Sequence, residues 1–378
     1  MKKRTIIGIG IAILAIVFTL QITGKNYYYK TLWYNMPGIF DNDIFESRTI
    51  HASAKPQDWD YASNYADNNI SKVLRDSLQK YETTSVLFIQ HDSIKIEKYF
   101  EGADNSTRSN SFSVAKSFIG ALIGRAIKLG FIKSIDQPVA DYIAEFKEGD
   151  KQKITIRHLL TMSSGLDWDE AYSSLFSQTT EAYYGTELEK QVVSLAAKKQ
   201  PGKYFEYKSC DTEVLAIVLK RATGMMVSEF MEKELWSQMG ASEASWSLDH
   251  ANGIEKAYCC LYATAKDFAR LGSLYLHKGN WKGQQLIDSN YIQQSVTASH
   301  LLDPKTQIPT NCYGFQWWIV DDYKGISAFY MRGILGQNIV VIPSRNLIAV
   351  RMGHKRGVKI GSHYSEMYAL LDEVLRMK

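Results

Sequence analysis

Hydrophobic and polar positions along this chain fall into helical, alternating and unbroken patterns. Thr5–Ile22, TIIGIGIAILAIVFTLQI, carries no charge. At 1.5 Å per residue it makes a helix of about 27 Å, long enough to span a bilayer. The stretch Asn26–Asp67 mixes aromatic and polar residues without a period, so residues 25–68 are expected as an extended tether. Asn69–Glu82 has a polar helical pattern. Thr84–Gln90 and Ile94–Phe100 are strand-like runs joined by His91-Asp92-Ser93, a hairpin. In Ser111–Gly130, Ile119, Leu122, Ile123, Ala126 and Ile127 recur at helical spacing, and Phe118, Ala121 and Leu129 cover much of the other side. This helix is expected to be buried nearly all round, with Gly130 ending it.

From Ser113 to about His300 the pattern is mostly helical, punctuated by Gly165, Pro201-Gly202, Gly224, Gly240 and Gly279. Strand signals return at Gly314–Val320, Ser327–Met331, Asn338–Ile342 and Leu347–Met352, and a helix over His363–Met377 closes the chain. A helix and hairpin at the start, with strands and a helix at the end, predict an α+β fold. Its antiparallel sheet is flanked by terminal helices, and an all-α subdomain of about residues 105–305 is inserted. The domain runs over residues 69–378, with a cleft between sheet and insertion.

Composition adds little except at the N-terminus. The chain has 378 residues, 45% hydrophobic and 22% charged, with a net charge of +4. Lys2, Lys3 and Arg4 supply three of those charges, so no electrostatic case for nucleic acid exists. They precede the apolar run and predict a cytoplasmic N-terminus. Residues 1–24 are therefore a membrane anchor or a signal segment. Gln21-Ile22-Thr23-Gly24 is a poor cleavage site, which favours a single-pass anchor with the domain outside the bacterial inner membrane. Four cysteines stand at 210, 259, 260 and 312. The adjacent Cys259 and Cys260 are not expected to bridge each other; buried free thiols and one other bridge both remain open. The histidines are scattered, without His-x-His or His-Glu-x-x-His, so neither a metal nor a cofactor is expected.

The candidate chemistry opens the buried helix. Ser113-Val114-Ala115-Lys116 places a hydroxyl and an amine three residues apart, on one helical face. Serine becomes nucleophilic when a base takes its proton, and burial can lower a lysine enough to be that base. Backbone N–H groups of the first turn favour developing negative charge. A second Ser-x-x-Lys, Ser77-Leu78-Gln79-Lys80, lies in a polar pattern and is expected on a solvated face.

Three further stretches accompany it: Thr155–Tyr172 (TIRHLLTMSSGLDWDEAY), Pro201–Gly224 with Tyr207-Lys208-Ser209 just before a helix, and Tyr330–Gly353 with a Gly-rich turn. With Ser113–Lys116, this ordered set resembles the serine β-lactamase and penicillin-binding-protein superfamily. The branch it resembles holds class C β-lactamases, related esterases and 6-aminohexanoate-dimer hydrolases, over about Ile70 to Lys378. The resemblance implies Ser113 as acylated nucleophile, Lys116 as its proton acceptor, and Tyr207 as a proton relay, a base if its pKa is lowered. It implies an oxyanion hole from the N–H groups of Ser113 and Ile334, after Gly333. Ser209 and Tyr172 fall at substrate-contacting positions. The implied activity is cleavage of amide or ester bonds in a small molecule or short peptide. A non-hydrolytic binding or sensing module, and a true β-lactamase or D-alanyl peptidase, are the alternatives. Where that superfamily carries Lys or His in its third motif, this chain has Met331. Arg332 should face the other side of the strand, so weak β-lactam hydrolysis is expected.

Overall fold

The computed structural model describes residues 2–23, 25, 27–34, 36–65 and 69–377. Helix α1 (Lys2–Ile22) contains Thr5–Ile22, long and apolar enough to cross a membrane and nowhere buried against the protein. Helix α2 (Tyr27–Tyr34) follows, then β1 (Ser47–Ile50) and β2 (Asp60–Tyr61). An extended tether was expected over residues 25–68; the described residues among them form these elements and pack on the domain, and residues 26, 35 and 66–68 lie outside the described residues. Tyr27 and Ile50 are buried in the main core. Elements of two to eight residues are too short to show a period, so composition hid them.

Helix α3 (Lys72–Lys80) precedes the hairpin β3 (Thr83–Gln90) and β4 (Ser93–Tyr99). The Ser71 side chain caps α3 by accepting from the Leu74 N–H. Ser77 and Lys80 lie on this helix, Lys80 in solvent. The middle of the chain gives β5 (Ser109–Asn110), α4 (Ala115–Lys128), α5 (Ile156–Leu160), α6 (Gln178–Tyr184), α7 (Leu188–Val193), α8 (Ser209–Thr223) and α9 (Val227–Met231). It continues with β6 (Ala244–Ser247), β7 (Leu261–Ala263), α10 (Ala265–Leu276), the hairpin β8 (Asn280–Trp281) and β9 (Gln284–Gln285), and α11 (Ser289–Ser295). Then come β10 (Trp318–Tyr323), β11 (Ile326–Gly333), β12 (Gln337–Ile342), β13 (Leu347–Gly353), the short β14 (Lys359–Ile360) and β15 (His363–Tyr364), and α12 (Ser365–Arg376).

The fold is α+β. Its main sheet has the order β10-β11-β12-β13-β3-β4-β2, antiparallel except where β2 joins β4. The two ends of the chain meet at its centre, where Val350 pairs with Leu87. Alternation assigns the faces. Leu87, Ile89, Ile339, Val341 and Val350 pack toward the insertion. Val86, Phe88, Val340, Ile342 and Ala349 pack with Leu74 of α3 and Leu370 of α12.

The insertion is not all-α. Strands β5, β6 and β7 join β1 in a second sheet of order β1-β6-β7-β5. These strands have two to four residues and sit among helical patterns, so periodicity missed them. The cysteine expectation is also corrected: Cys259 and Cys260 form a disulfide, while Cys210 and Cys312 are free and buried. Cys260 occupies the left-handed region at φ 65°, which gives this dipeptide an unusual local path.

Candidate active site

Ser113 sits in a 3-10 turn, Phe112–Val114, that runs straight into α4. Phe112 has φ 44°, a conformation that costs a non-glycine residue about 1 kcal/mol or more. The surroundings hold it there. The Phe112 N–H donates to the Asn110 side chain at 2.9 Å, and the Ser111 N–H donates to the Leu261 carbonyl on β7. The small second sheet therefore fixes the turn that presents Ser113.

Lys116 is one turn further on, with 1% of its surface exposed. Its Nζ lies 3.0 Å from Ser113 Oγ, 3.1 Å from Ser209 Oγ and 2.8 Å from the Tyr258 carbonyl. Burial lowers its pKa to about 8, against the opposing pull of Glu170 and Glu213. At pH 7 about one Lys116 in ten is then neutral, against about one in three thousand for an ordinary lysine.

Glu170 orders this network. Its carboxylate accepts from the Ser209 hydroxyl at 2.6 Å, the Ser209 N–H at 2.7 Å, the Trp168 indole at 2.7 Å and the Tyr172 hydroxyl. Because the Ser209 proton is committed to Glu170, Ser209 Oγ can only accept from Lys116. The Tyr258 carbonyl is likewise only an acceptor. A neutral Lys116 must donate to both and turns its lone pair toward Ser113. Glu213 supports the carbonyl partner by accepting from the Ala257 and Tyr258 N–H groups. Sequence reasoning did not single out Glu170. Its signal was there, as a carboxylate inside Trp168–Tyr172, beside a tyrosine already noted.

Tyr207 lies at the start of the turn into α8, its ring 5.3 Å from Trp318 and 5.9 Å from Tyr313. Lys116 Nζ lies 5.3 Å from its ring centre, and Tyr207 lines one cavity together with Ser113. Burial raises its pKa, and the nearby Ser113 and Arg332 only partly oppose this. The expected lowering through Lys116 is thus reversed. Tyr207 rests as a phenol, suited to giving a proton rather than taking one. Ser209 and Tyr172, both expected at substrate, are tied to Glu170; Tyr172 remains 37% exposed and can still meet a ligand.

Gly333 ends β11 beside the turn that carries Ser113. A Cβ there would stand 2.3 Å from the Ser111 carbonyl oxygen, so only glycine permits this approach. Ile334 follows, and Ser113 and Ile334 each border two cavities. One, of about 230 Å³, is walled by Leu32, Met36, Leu175, Tyr183, Tyr258 and Cys259. The other, of about 340 Å³, carries Tyr207, Trp318, Arg332, Arg356, Lys359 and Glu366.

Arg332 requires a correction. Met331 is fully buried toward the insertion, and Arg332 faces the opposite side. Arg332 nevertheless reaches the cavity wall, because the cavity wraps around the end of β11. Its guanidinium lies 3.3 Å from the Trp318 ring centre and donates to the Ser362 carbonyl at 2.7 Å. Among the described residues, no cluster of three His, Cys, Asp or Glu could hold a metal ion.

With this geometry established, the relatives can be placed. The beta-lactamase family model matches residues 70–361. A 6-aminohexanoate-dimer hydrolase of Paenarthrobacter ureafaciens is 26% identical over 297 residues, covering 74% of this chain and 74% of that one. A protein described as "Putative 6-aminohexanoate-dimer hydrolase from Bacillus anthracis" has a similar structure, with a TM-score of 0.75 at 22% identity over 89% of this chain and 92% of that one. A family VIII carboxylesterase superposes with a TM-score of 0.63 at 13% identity, over 84% of this chain and 98% of that one. These two share the fold. The match over residues 70–361 places the site inside the matched region: the chain belongs to the beta-lactamase family and is a hydrolase.

Proposed function

We propose that the protein is a serine hydrolase that cleaves ester or amide bonds of small molecules or short peptides through an acyl-enzyme on Ser113. The observation that carries this reading is the 3.0 Å approach of Lys116 Nζ to Ser113 Oγ inside a buried network. Lys116 takes the Ser113 proton as Oγ attacks the carbonyl. The N–H groups of Ser113 and Ile334 stabilise the oxyanion. Tyr207 gives its proton to the leaving alcohol or amine, the proton on Lys116 replaces it, and water then releases the acid. Ser209 and Glu170 hold Lys116 in position.

The reading includes the location. Lys2–Arg4 and the apolar run Thr5–Ile22 support a single-pass anchor with the domain on the extracytoplasmic face. A disulfide at Cys259–Cys260 is consistent with an oxidising compartment. The test is a fluorophosphonate probe on the full chain. Ser113→Ala should abolish labelling and Ser77→Ala should leave it intact; labelling that survives Ser113→Ala overturns the mechanism.

A further inference from the structure

Ser113 and Ile334 stand where two cavities of opposite character meet. Chemistry decides which half of a substrate enters which. Tyr207 is the phenol at the nucleophile, so a leaving group that takes its proton departs on its side. Tyr207 borders the larger cavity and not the smaller one. The leaving group therefore belongs in the larger cavity, and the acyl half in the smaller.

The smaller cavity is walled mainly by apolar and aromatic side chains, and part of that wall comes from the N-terminal region. Leu32 lies in α2, and Met36 just beyond it. Tyr34 stacks on Tyr184 of α6 at 6.3 Å, and Tyr28 meets Phe176 at 5.7 Å, which holds α2 over the site. Leu32 and Met36 are exposed and form an apolar rim, and Trp33 and Phe176 are exposed as well. Helix α2 begins five residues after α1 ends, within about 18 Å of the end of the apolar span.

The larger cavity is lined by three cations and three carboxylates, and among the described residues its cations are unpaired. Arg332, Arg356 and Lys359 border it, and none has a carboxylate partner among the described residues. Glu170, Asp303 and Glu366 on the same wall keep their charge, but each is held by its own donors and none pairs with these cations. Glu366 accepts from the Gly357 N–H at 2.8 Å, Asp303 from the Lys305 and Thr306 N–H groups, and Glu170 from Ser209 and Trp168.

We propose that the substrate is an amphiphile: an ester or amide whose apolar acyl chain fills the cavity walled by α2, and whose leaving group is anionic and rests against Arg332, Arg356 and Lys359. This deepens the hydrolase reading above and rests on it. Ser113 Oγ gives its proton to Lys116 and displaces the leaving oxygen or nitrogen at the carbonyl; the leaving group departs with the Tyr207 proton, and the proton on Lys116 replaces it. Water then splits the acyl-enzyme, restoring Ser113 and releasing the free carboxylic acid. An apolar rim next to the anchor suits a chain presented from a bilayer surface.

The test uses the full chain in phosphatidylcholine nanodiscs with p-nitrophenyl acetate, butyrate and octanoate, and with the carboxylate-bearing octanoyloxy-nitrobenzoate. The expected kcat/KM rises by up to about fourfold per methylene. The carboxylate-bearing octanoate should be cleaved several-fold faster than the neutral one. Leu32→Glu, at a position 72% exposed and so tolerant of charge, should flatten the chain-length profile. Arg356→Ala should remove the preference for the carboxylate. A flat or falling profile, or no carboxylate preference, overturns this proposal; if Ser113→Ala still abolishes turnover, the hydrolase reading stands without it. Absence of both turnover and Ser113 labelling overturns the two together.

Discussion

The Ser209 hydroxyl donates to Glu170 Oε1 at 2.6 Å, and that bond sets the direction of proton traffic around Lys116. With the Ser209 proton committed, Lys116 can only donate to Ser209 and must offer its lone pair to Ser113. Glu170→Gln replaces an acceptor with a group that can also donate, so Ser209 can reverse. The expected outcome is a fall in kcat of about a hundredfold with a smaller change in KM, the cost of a misaligned base rather than lost binding. Ser209→Ala should fall by a similar factor. The double variant should fall little further, because both act through Lys116. Additive losses in steady-state kinetics would show that the two side chains act separately.

The pH dependence follows from Lys116. Its ammonium is disfavoured by burial, and the pKa falls to about 8. Only the neutral amine accepts the Ser113 proton, so protonation abolishes the base. The rate of probe acylation should therefore rise tenfold per pH unit below the pKa and level off above about 8. Lys116→Arg keeps a positive charge that does not titrate in this range and should remove the limb together with the activity. A profile that falls between pH 6 and 8 would contradict Lys116 as base.

What the sequence revealed depended on distance along the chain. Ser113 and Lys116 share one helix, so spacing alone brings them together. Tyr207 and Ile334 were legible only through motif resemblance, since the fold must carry them to Ser113. Glu170 acts on a residue 39 positions away, and no local pattern announces that. The main-sheet strands other than the two-residue β2, and the closing helix, were legible because their periods run for six residues or more. Helix α2, β1 and the strands of the second sheet were not, being too short to establish a period. Arg332 was misjudged for another reason. Strand alternation gives the correct face, but says nothing about a cavity that curls around the strand end.

Gly333 offers a steric test of the same site. Its φ of −116° is open to any residue, so its requirement for glycine comes from the Ser111 carbonyl that a Cβ would strike at 2.3 Å. Gly333→Ala should push β11 from the nucleophile turn, cost about 1–3 kcal/mol of stability as overpacking does, and lower acylation more than a hundredfold. Gly102→Ala makes a fair comparison for stability. Its added Cβ meets nothing within 4 Å, though its φ of 74° is itself unfavourable to alanine. If Gly333→Ala acylates at the wild-type rate, the oxyanion hole does not depend on that close approach.

The disulfide gives the last test. Cys259 borders the smaller cavity, and the preceding residue, Tyr258, supplies the carbonyl that holds Lys116 at 2.8 Å. Cys260 is held at φ 65°, a conformation that costs a non-glycine residue about 1 kcal/mol or more. The bond between the two sulfurs restricts the segment to this path, and reduction allows it to relax. Alkylation of the unfolded, unreduced chain should modify Cys210 and Cys312 alone, since these are the free thiols. Treatment of the folded chain with dithiothreitol should lower acylation of Ser113 about fivefold, the weight of that strain, and reoxidation should restore it. The double variant Cys259→Ser with Cys260→Ser should be insensitive to the reductant and resemble the reduced protein. Full activity in dithiothreitol, with all four thiols alkylated, would show that the Tyr258 carbonyl keeps its place without the bond.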